Sequence, residues 1–409
     1  MPATGDDDVD CHDGHTLTRR DRAARSRAAR AHAARAHADS RSCVTAPLAP
    51  LTTLRLGGPA RRLVRAGTED ELVAAVREAD AAGEPLLVLA GGSNVVVADE
   101  GFDGTVVLVA TSGVEEVPPP ARSAPPPSAG GAPRRAAPAL TLRVAAGETW
   151  DPFVARCVGD GLAGVECLSG IPGSVGATPI QNVGAYGQEV SETIVSVRAL
   201  DRRSGEVEEL PPEACEFSYR SSAFKRDLSR WVVLAVEYVL ARDPLSAPIR
   251  YGELARALGL QLGDRAPLAD VREAVLTLRR GKGMVVDPAD PDSVSAGSFF
   301  TNPVLTADDF ARLAERFDGA IPHWPQPDGR VKASAAWLIE HAGYGKGYGD
   351  PRTIAISSKH TLALTNRGEG TTADLVALAR DVAAGVKREF GVELHPEPVF
   401  VGHEWTPEA

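Results

Sequence analysis

The stretch CLSGIPGSVGATPIQNVGAYG, from Cys167 to Gly187, decides how the rest of the chain is interpreted. Its glycines alternate with small residues and two prolines, a pattern that neither an amphipathic helix nor a half-buried strand shows. Glycine permits positive φ and lets a ligand lie directly on the backbone. We interpret the stretch as a wall against a large, flat, phosphorylated ligand. A glycine-rich surface loop is the alternative that this stretch alone leaves open.

A second glycine turn follows an apolar segment nearer the N-terminus. Gly91-Gly92-Ser93-Asn94 comes directly after the predicted strand Leu86–Leu89. Consecutive glycines followed by Ser and Asn predict a nest of backbone N–H groups, which suits the negative charge of a pyrophosphate. The turn is not the Rossmann fingerprint, because no GxGxxG opens a helix here.

The composition excludes several classes of function. The formal net charge is -11, which argues against nucleic-acid binding, because such a protein needs a basic face. No apolar run approaches the roughly 18 residues of a membrane span, and the N-terminus lacks the apolar region of a secretory signal. The five cysteines are widely spaced, so we expect reduced thiols in a cytoplasmic protein and no metal site.

Two segments are too biased in composition to form a core. Residues 1–45 contain a run of Ala, Arg and His without an apolar stripe, and we expect a disordered tail. Residues 117–138 are rich in Pro, Ala and Ser, and we expect a solvent-exposed insertion without a catalytic role.

Cap signals predict several helices, and Thr68 with Glu71 forms a capping box that opens the first of them, which continues to about Ala82. Thr306 with Asp309 predicts a helix that continues to Phe317, and KASAAWLIEHAG predicts another over residues 332–343. Thr371 opens the longest predicted helix, which a glycine at position 391 ends.

Two longer motifs carry more specific information. FSYRSSAFK spans Phe217–Lys225, and AGSFFTNP spans Ala296–Pro303. They resemble the FxYRxSxFK and GSFFxNP motifs of the UDP-N-acetylenolpyruvoylglucosamine reductases (MurB), and Glu397 falls where that family has a carboxylate near its C-terminus. The 167–187 stretch resembles the flavin-contacting segment of the same family. The resemblance covers roughly residues 48–403.

The resemblance implies an α+β protein with a vanillyl-alcohol-oxidase-type (PCMH) FAD-binding fold. We expect a first FAD-binding subdomain over 46–112 and a second over 113–245, which contains the insertion. A substrate-binding α+β domain follows over 246–390, and residues 391–409 return a strand to the active site. No obligate protein partner is indicated.

The resemblance also implies the cofactors and their contacts. FAD would be bound and NADPH would reduce it, with nicotinamide and substrate taking turns in one cleft because no second dinucleotide fingerprint is visible. The implied FAD contacts are Arg55, Gly91, Gly92, Ser93, Asn94, Gly170, Ile171, Gly173, Gly176, Ala177, Gln181, Asn182 and Gly184. The implied contacts to the UDP-sugar substrate are Tyr219, Tyr251, Arg279, Lys282, Asn302 and Lys332.

The family's reaction assigns roles to three residues. Hydride adds to the vinyl carbon of an enol ether, and the negative charge that develops spreads into the neighbouring carboxylate. Arg220 can stabilise that charge with two parallel donors. Ser298 would give the proton to carbon. Glu397 either donates a hydrogen bond or only orients Arg220, and the sequence leaves both open.

Two other functions compete with this interpretation. An FAD oxidoreductase of the same fold that acts on an alcohol or lactone would show oxidase activity and would not need GSFFxNP. A non-catalytic paralogue that binds flavin or a sugar nucleotide should have lost at least one of Arg220, Ser298 and Glu397.

Overall fold

The computed structural model describes residues 46–118, 138–317 and 320–405. The predicted tail and nearly all of the predicted insertion lie outside these ranges. The described chain mixes helices with two larger β-sheets and several small ones, which is the predicted α+β class. None of the helices in these ranges has the length and apolarity that a bilayer span requires.

The first sheet is formed by the chain before residue 110. Its four strands lie in the order Ala46–Pro47, Pro59–Ala66, Phe102–Val109 and Leu86–Leu89. The helix Glu69–Ala81 begins where the Thr68 side chain accepts a hydrogen bond from the Glu71 N–H. The last strand of the order pairs in parallel with its neighbour, so its carboxyl end delivers the turn that starts at Gly91.

The second sheet is antiparallel and larger. Its strands lie in the order Val207–Leu210, Ile194–Asp201, Trp231–Arg242, Ala139–Ala145 and Val114–Val117, and Leu162–Ala163 also pairs with the central strand. Val117 is paired with Thr141, so the predicted insertion connects two neighbouring strands. Both sheets share one hydrophobic core, which includes Val107, Trp150 and Tyr238.

Short elements surround the glycine-rich stretch. The helices before residue 290 that follow the first one are Trp150–Gly159, Pro212–Cys215, Ala223–Arg226, Gly252–Leu258 and Leu268–Arg280. Gly184–Ala185 and Gln188–Glu189 form a small hairpin. Single 3-10 turns occur at Ala49–Leu51, Glu166–Leu168, Val175–Ala177, Val190–Glu192 and Pro291–Ser293. Residues of the segment 249–275 pack on Cys167 and Tyr186, so the division at residue 246 stays a prediction.

The C-terminal part packs around a second core, in which Leu338, Leu375 and Phe390 lie together with Leu54 and Val96 from the first part of the chain. Its helices are Ala307–Ala314, Ala335–His341 and Thr372–Phe390. Its strands are Val304–Leu305, Val331–Ala333 and His323–Pro325 in one sheet, Ile354–Ile356 with Leu364–Asn366 in a second, and Val399–Val401, which pairs in parallel with Val95–Val97. This last pairing brings the C-terminal segment beside the first glycine turn.

Two predicted helices are shorter than expected. Lys332 lies on a strand and not on a helix, because Ser334 accepts a hydrogen bond from the Trp337 N–H and starts the helix after it. The helix predicted to reach Phe317 ends at Ala314. The longest helix begins after Thr371 as predicted, where Thr371 and Asp374 form a capping box, and it ends at the predicted Gly391.

Candidate functional site

A cavity of about 840 Å³ is lined by residues of both large sheets and of the C-terminal part. Its size falls within the roughly 300–1,000 Å³ of small-molecule sites. The lining includes the apolar strand segments Leu86–Leu89 and Trp231–Val233 and both glycine-containing loops. The cavity is therefore where the first and last parts of the chain meet.

Two loops of the lining form what we call the glycine cradle, residues 91–94 and 171–184. A Cβ built on Gly91 would lie 2.6 Å from the Gly173 Cα, so the two loops touch backbone to backbone. A Cβ on Gly92, whose φ is +59°, would lie 1.9 Å from the Leu51 carbonyl oxygen. These glycines permit close packing behind the cavity wall, as well as close approach of a ligand in front of it.

Four predicted cofactor contacts do not line the cavity. Arg55 is exposed elsewhere. Gly170 and Gly173 pack against side chains, those of Leu276 and Ser93 respectively. The Asn182 side chain is buried and bonds within its own region, donating to Glu189 Oε2 at 2.7 Å and accepting from the Ser191 N–H at 3.2 Å. Gly170, Gly173 and Asn182 thus shape the cradle from behind. The other nine predicted FAD contacts do line the cavity.

Arg220 reaches the cavity from a tight turn. Ser218 and Ser221 exchange two backbone hydrogen bonds around it, and Arg220 has a φ of +54°, which is uncommon for a residue with a side chain. Its Nη2 donates to the Gly184 carbonyl at 3.0 Å. Its Nε lies 3.2 Å from Glu397 Oε1, yet this buried N–H has no well-aligned acceptor among the described residues.

Ser298 and Glu397 are held on neighbouring segments. The Glu397 N–H donates to the carbonyl of Phe299 at 2.8 Å, the residue directly after Ser298. Phe299 and Phe300 are buried and contact each other edge to face, which anchors this part of the AGSFFTNP motif in the C-terminal core. Both Ser298 and Glu397 line the same cavity as Arg220.

Two amides complete what we call the polar corner: Asn94, Gln181, Arg220 and Glu397. Asn94 Nδ2 donates to Gln181 Oε1 at 2.8 Å. Gln181 Nε2 donates to Glu397 Oε1 at 3.2 Å. The corner thus joins the first glycine turn, the glycine-rich stretch, the FSYRSSAFK motif and the C-terminal segment.

Three predicted substrate contacts lie beside the cavity rather than in its lining. The Lys332 ammonium lies 4.3 Å from the centre of the Tyr219 ring, and the Arg220 guanidinium lies 5.5 Å from it. Burial, together with the nearby charge of Arg220, lowers the pKa of Lys332. Asn302 Oδ1 accepts from the Ala335 N–H at 2.9 Å, which positions this asparagine at the start of a helix.

The other three predicted substrate contacts line the cavity. Tyr251 contacts Tyr186 edge to face with ring centres 5.5 Å apart. Lys282 Nζ donates to Glu253 Oε2 at 2.7 Å. Burial lowers the pKa of Arg279 to about 10, so its guanidinium remains charged at neutral pH while its Nε has no hydrogen-bond partner among the described residues.

The sequence interpretation missed several lining residues. Ser174 lines the cavity, and its buried Oγ has no partner within the described chain. His360 also lines it, and burial, with the charges of Lys282 and Lys346, lowers its pKa to about 4. Ser174 could have been included because it lies within the 167–187 stretch, whereas His360 carries no recognisable spacing signal.

The lining fits an FAD molecule in its chemistry. Apolar strands offer surface to aromatic rings, and the cradle offers backbone to a phosphate-bearing chain. The unpartnered polar atoms of Ser174, Arg220 and Arg279 are buried groups that a polar ligand would satisfy.

Comparisons with known proteins identify relatives of this chain. A family described as "UDP-N-acetylenolpyruvoylglucosamine reductase, C-terminal domain" matches residues 288–401, and one described as "FAD binding domain" matches residues 60–211. The UDP-N-acetylenolpyruvoylglucosamine reductase of Thermobifida fusca (strain YX) is 57% identical over 363 residues, which cover 87% of this chain and 97% of that protein. The protein of the same name from Streptomyces coelicolor is 58% identical over 87% of this chain and 89% of its own length.

A solved structure is similar in fold. The crystal structure of UDP-N-acetylenolpyruvylglucosamine reductase (MurB) from Thermus caldophilus matches with a TM-score of 0.56 and 23% identity, over 88% of this chain and 98% of that chain. Together with the FAD-binding domain match, this likeness confirms the predicted fold class, an α+β protein with an FAD-binding fold of the vanillyl-alcohol-oxidase type.

Proposed function

Because the chain belongs to the UDP-N-acetylenolpyruvoylglucosamine reductase family, we propose that it reduces the enolpyruvyl group of UDP-N-acetylglucosamine enolpyruvate to UDP-N-acetylmuramate, a step of peptidoglycan precursor synthesis. The observation that carries this proposal is the convergence of Arg220, Ser298 and Glu397 on the cavity that the glycine cradle lines. FAD, held by the glycine cradle, would supply the redox chemistry, namely a hydride for the vinyl carbon of the substrate with electrons that come from NADPH.

Arg220 stabilises the negative charge that develops on the substrate. The charge spreads from the carbon next to the ether oxygen into the attached carboxylate, and a guanidinium meets a carboxylate with parallel N–H donors. Its Nε is buried without an aligned acceptor, which supports a role in which the substrate completes its hydrogen bonding. Glu397, 3.2 Å away, holds the guanidinium in place.

Ser298 gives the proton that completes the reaction. The carbon next to the carboxylate must gain a proton once the vinyl carbon has gained the hydride. A serine hydroxyl is a weak acid, but the carbanionic partner is a very strong base, so the transfer is favourable. Solvent then returns a proton to the serine oxygen.

The substrate contacts divide into two groups. Lys332 and Arg220 flank the Tyr219 ring, and we assign this group, with Asn302, to the sugar nucleotide. The second group is part of the cavity lining itself and consists of Tyr251, Arg279 and Lys282. We assign NADPH to the same cavity before the substrate enters, which is the ping-pong order that the family resemblance implies. We infer the cytoplasm as the compartment and small molecules as the partners.

Product analysis tests the proposal against its rival, an oxidase of the same fold. The flavin-loaded protein is incubated without oxygen with NADPH and the enolpyruvyl sugar nucleotide, and the nucleotide product is identified by mass spectrometry. We expect UDP-N-acetylmuramate, heavier than the substrate by two hydrogens, and no product when NADPH is omitted. An unchanged substrate, with hydrogen peroxide formed when oxygen is admitted with an alcohol, would support the oxidase.

A further inference from the structure

A chain of polar contacts runs through the polar corner from Asn94 to Arg220. Asn94 Nδ2 donates to Gln181 Oε1 at 2.8 Å, and Gln181 Nε2 donates to Glu397 Oε1 at 3.2 Å. The same Glu397 oxygen lies 3.2 Å from Arg220 Nε. Glu397 Oε1 therefore faces an amide donor and a guanidinium.

The direction of each amide in this chain is determined by a group that cannot be reversed. Asn94 Nδ2 also donates to the Glu397 carbonyl oxygen at 3.3 Å, and a carbonyl oxygen is only an acceptor. Lys225 Nζ donates to Gln181 Oε1 at 3.5 Å, and an ammonium is only a donor. The end of Gln181 that faces Asn94 and Lys225 must therefore be its oxygen, and the end that faces Glu397 must be its NH2.

This direction determines what Glu397 can do. Because Gln181 and Arg220 both present donors, Glu397 Oε1 can only accept. A proton on that oxygen would point at an N–H group. Among the described residues no side chain donates to Oε2, so Oε2 is the oxygen that stays available to the substrate.

We propose that Asn94 and Lys225 are positioning residues that act through Gln181: they fix its amide so that Glu397 Oε1 accepts, and Glu397 then orients the Arg220 guanidinium toward the substrate carboxylate. This inference rests on the proposed function. It assigns Glu397 Oε1 to orientation of Arg220 and leaves Oε2 to contact the substrate.

A double-mutant cycle tests whether Asn94 acts through Gln181. The four proteins are native, Asn94→Ala, Gln181→Met and the double variant, all loaded with FAD. The rate of flavin reoxidation by saturating enolpyruvyl substrate is measured after anaerobic reduction with NADPH. We expect Asn94→Ala to slow reoxidation about tenfold in the native background and to have almost no further effect in the Gln181→Met background.

A pH profile separates positioning from a merely structural role. In Gln181→Glu the atom that faces Glu397 becomes an acceptor, while the contacts to Asn94 and Lys225 are kept. Two carboxylates then face each other and must share a proton to stay close. We expect the reoxidation rate of this variant to fall as pH rises over a range in which the native rate is constant. Gln261→Glu, at an exposed turn outside the cavity lining, is the charge-matched control and should follow the native profile.

Two results would overturn the inference, and a third would overturn the proposed function on which it rests. Independent, additive effects of Asn94→Ala and Gln181→Met would mean that Asn94 acts through the flavin or the backbone instead. A Gln181→Glu profile parallel to the native one would remove the requirement for a donor at Glu397. Reoxidation by the native protein must be seen first, because its absence would overturn the proposed function itself. Flavin content and thermal midpoint identify any variant that fails to fold, and Lys225→Met then replaces Asn94→Ala in the cycle.

Discussion

The glycine cradle is built from main chain, whereas the polar corner is built from side chains that converge from distant parts of the sequence. In the cradle, two loops meet backbone to backbone. A Cβ added to Gly91 would lie only 2.6 Å from the Gly173 Cα. In the corner, Gln181 and Glu397 are 216 residues apart in sequence and meet through one hydrogen bond. Added volume should therefore damage the cradle, and altered donor geometry should damage the corner.

Removal of the corner's charge should have the largest effect. In Arg220→Gln the developing carboxylate charge loses its guanidinium, and Glu397 loses its ion-pair partner. We expect flavin reoxidation by the substrate to slow about 1,000-fold, while NADPH still reduces the flavin at close to the native rate. Stopped-flow absorbance measures both half-reactions. Arg226→Gln, an exposed arginine of the adjacent helix, is the matched control, and an equal loss in that variant would contradict the assignment.

Ser298→Ala tests the proton donor alone. The substitution removes the hydroxyl and leaves the neighbouring Phe299 and Phe300 in their core positions. We expect about a 100-fold slower reoxidation with an unchanged reduction by NADPH, because general-acid catalysis contributes about that much. If this variant reoxidises at the native rate, Ser298 is not the acid.

Gly92→Ala tests the cradle. Its Cβ would lie 1.9 Å from the Leu51 carbonyl oxygen at a φ of +59°, so the loop must move. We expect loss of bound flavin and about 3 kcal/mol of stability. Gly205 also has a positive φ, but no atom lies within 4 Å of its Cβ position. Gly205→Ala should cost only about 1 kcal/mol and retain flavin. Urea unfolding measures the free energy of unfolding of both variants. Similar decreases would show that the positive φ, and not crowding of the added Cβ, makes Gly92→Ala unfavourable.

The smallest effect on stability is expected for a substitution at Asp151, which lies behind the cradle. Asp151 accepts from the Gly170 N–H at 2.6 Å and from Arg272 at 2.7 and 2.9 Å. Burial tends to raise the pKa of Asp151, but the bonds from Arg272 and Gly170 outweigh it, so the pKa is lowered. Asp151→Asn should cost about 1 kcal/mol of stability at neutral pH.

The pH dependence of that cost follows from the direction of the shift. A lowered pKa gives a contribution that is complete above the ordinary value of 3.8 and is lost as pH falls below it. The thermal midpoints of the native protein and Asp151→Asn should therefore differ by a constant amount between pH 7 and about pH 5 and converge below about pH 4. A difference that grows on acidification would contradict the ion pair.

Local chemistry made much of the fold predictable. The apolar strand before Gly91, the Thr68 cap and the capping box at Thr371 are each decided by residues close in sequence. The start of the helix predicted from Lys332 was not predictable. Ser334 caps this helix, which therefore begins only at Ala335. The fold class came from the resemblance of the two longer motifs and of the 167–187 stretch to the reductase family, and not from any single helix or strand.

The residues that line the cavity were predictable only in part, and their arrangement was not predictable. Glycine patterns identify a cradle, yet they do not distinguish Gly173, which packs against another loop, from glycines that line the cavity. Asn182 has the residue type of a ligand contact, but its own loop uses its side chain. The contacts among Asn94, Gln181 and Glu397 depend on long-range packing, which no local pattern encodes.

An anaerobic absorbance titration tests the central claim most directly. The claim is that the protein uses one cavity to reduce the enolpyruvyl sugar nucleotide with electrons from NADPH. NADPH is added to the flavin-loaded protein until its colour is lost, and UDP-N-acetylglucosamine enolpyruvate is then added. We expect the colour to return in proportion to the substrate added. A reduced protein that ignores the substrate and regains its colour only with oxygen would contradict the account.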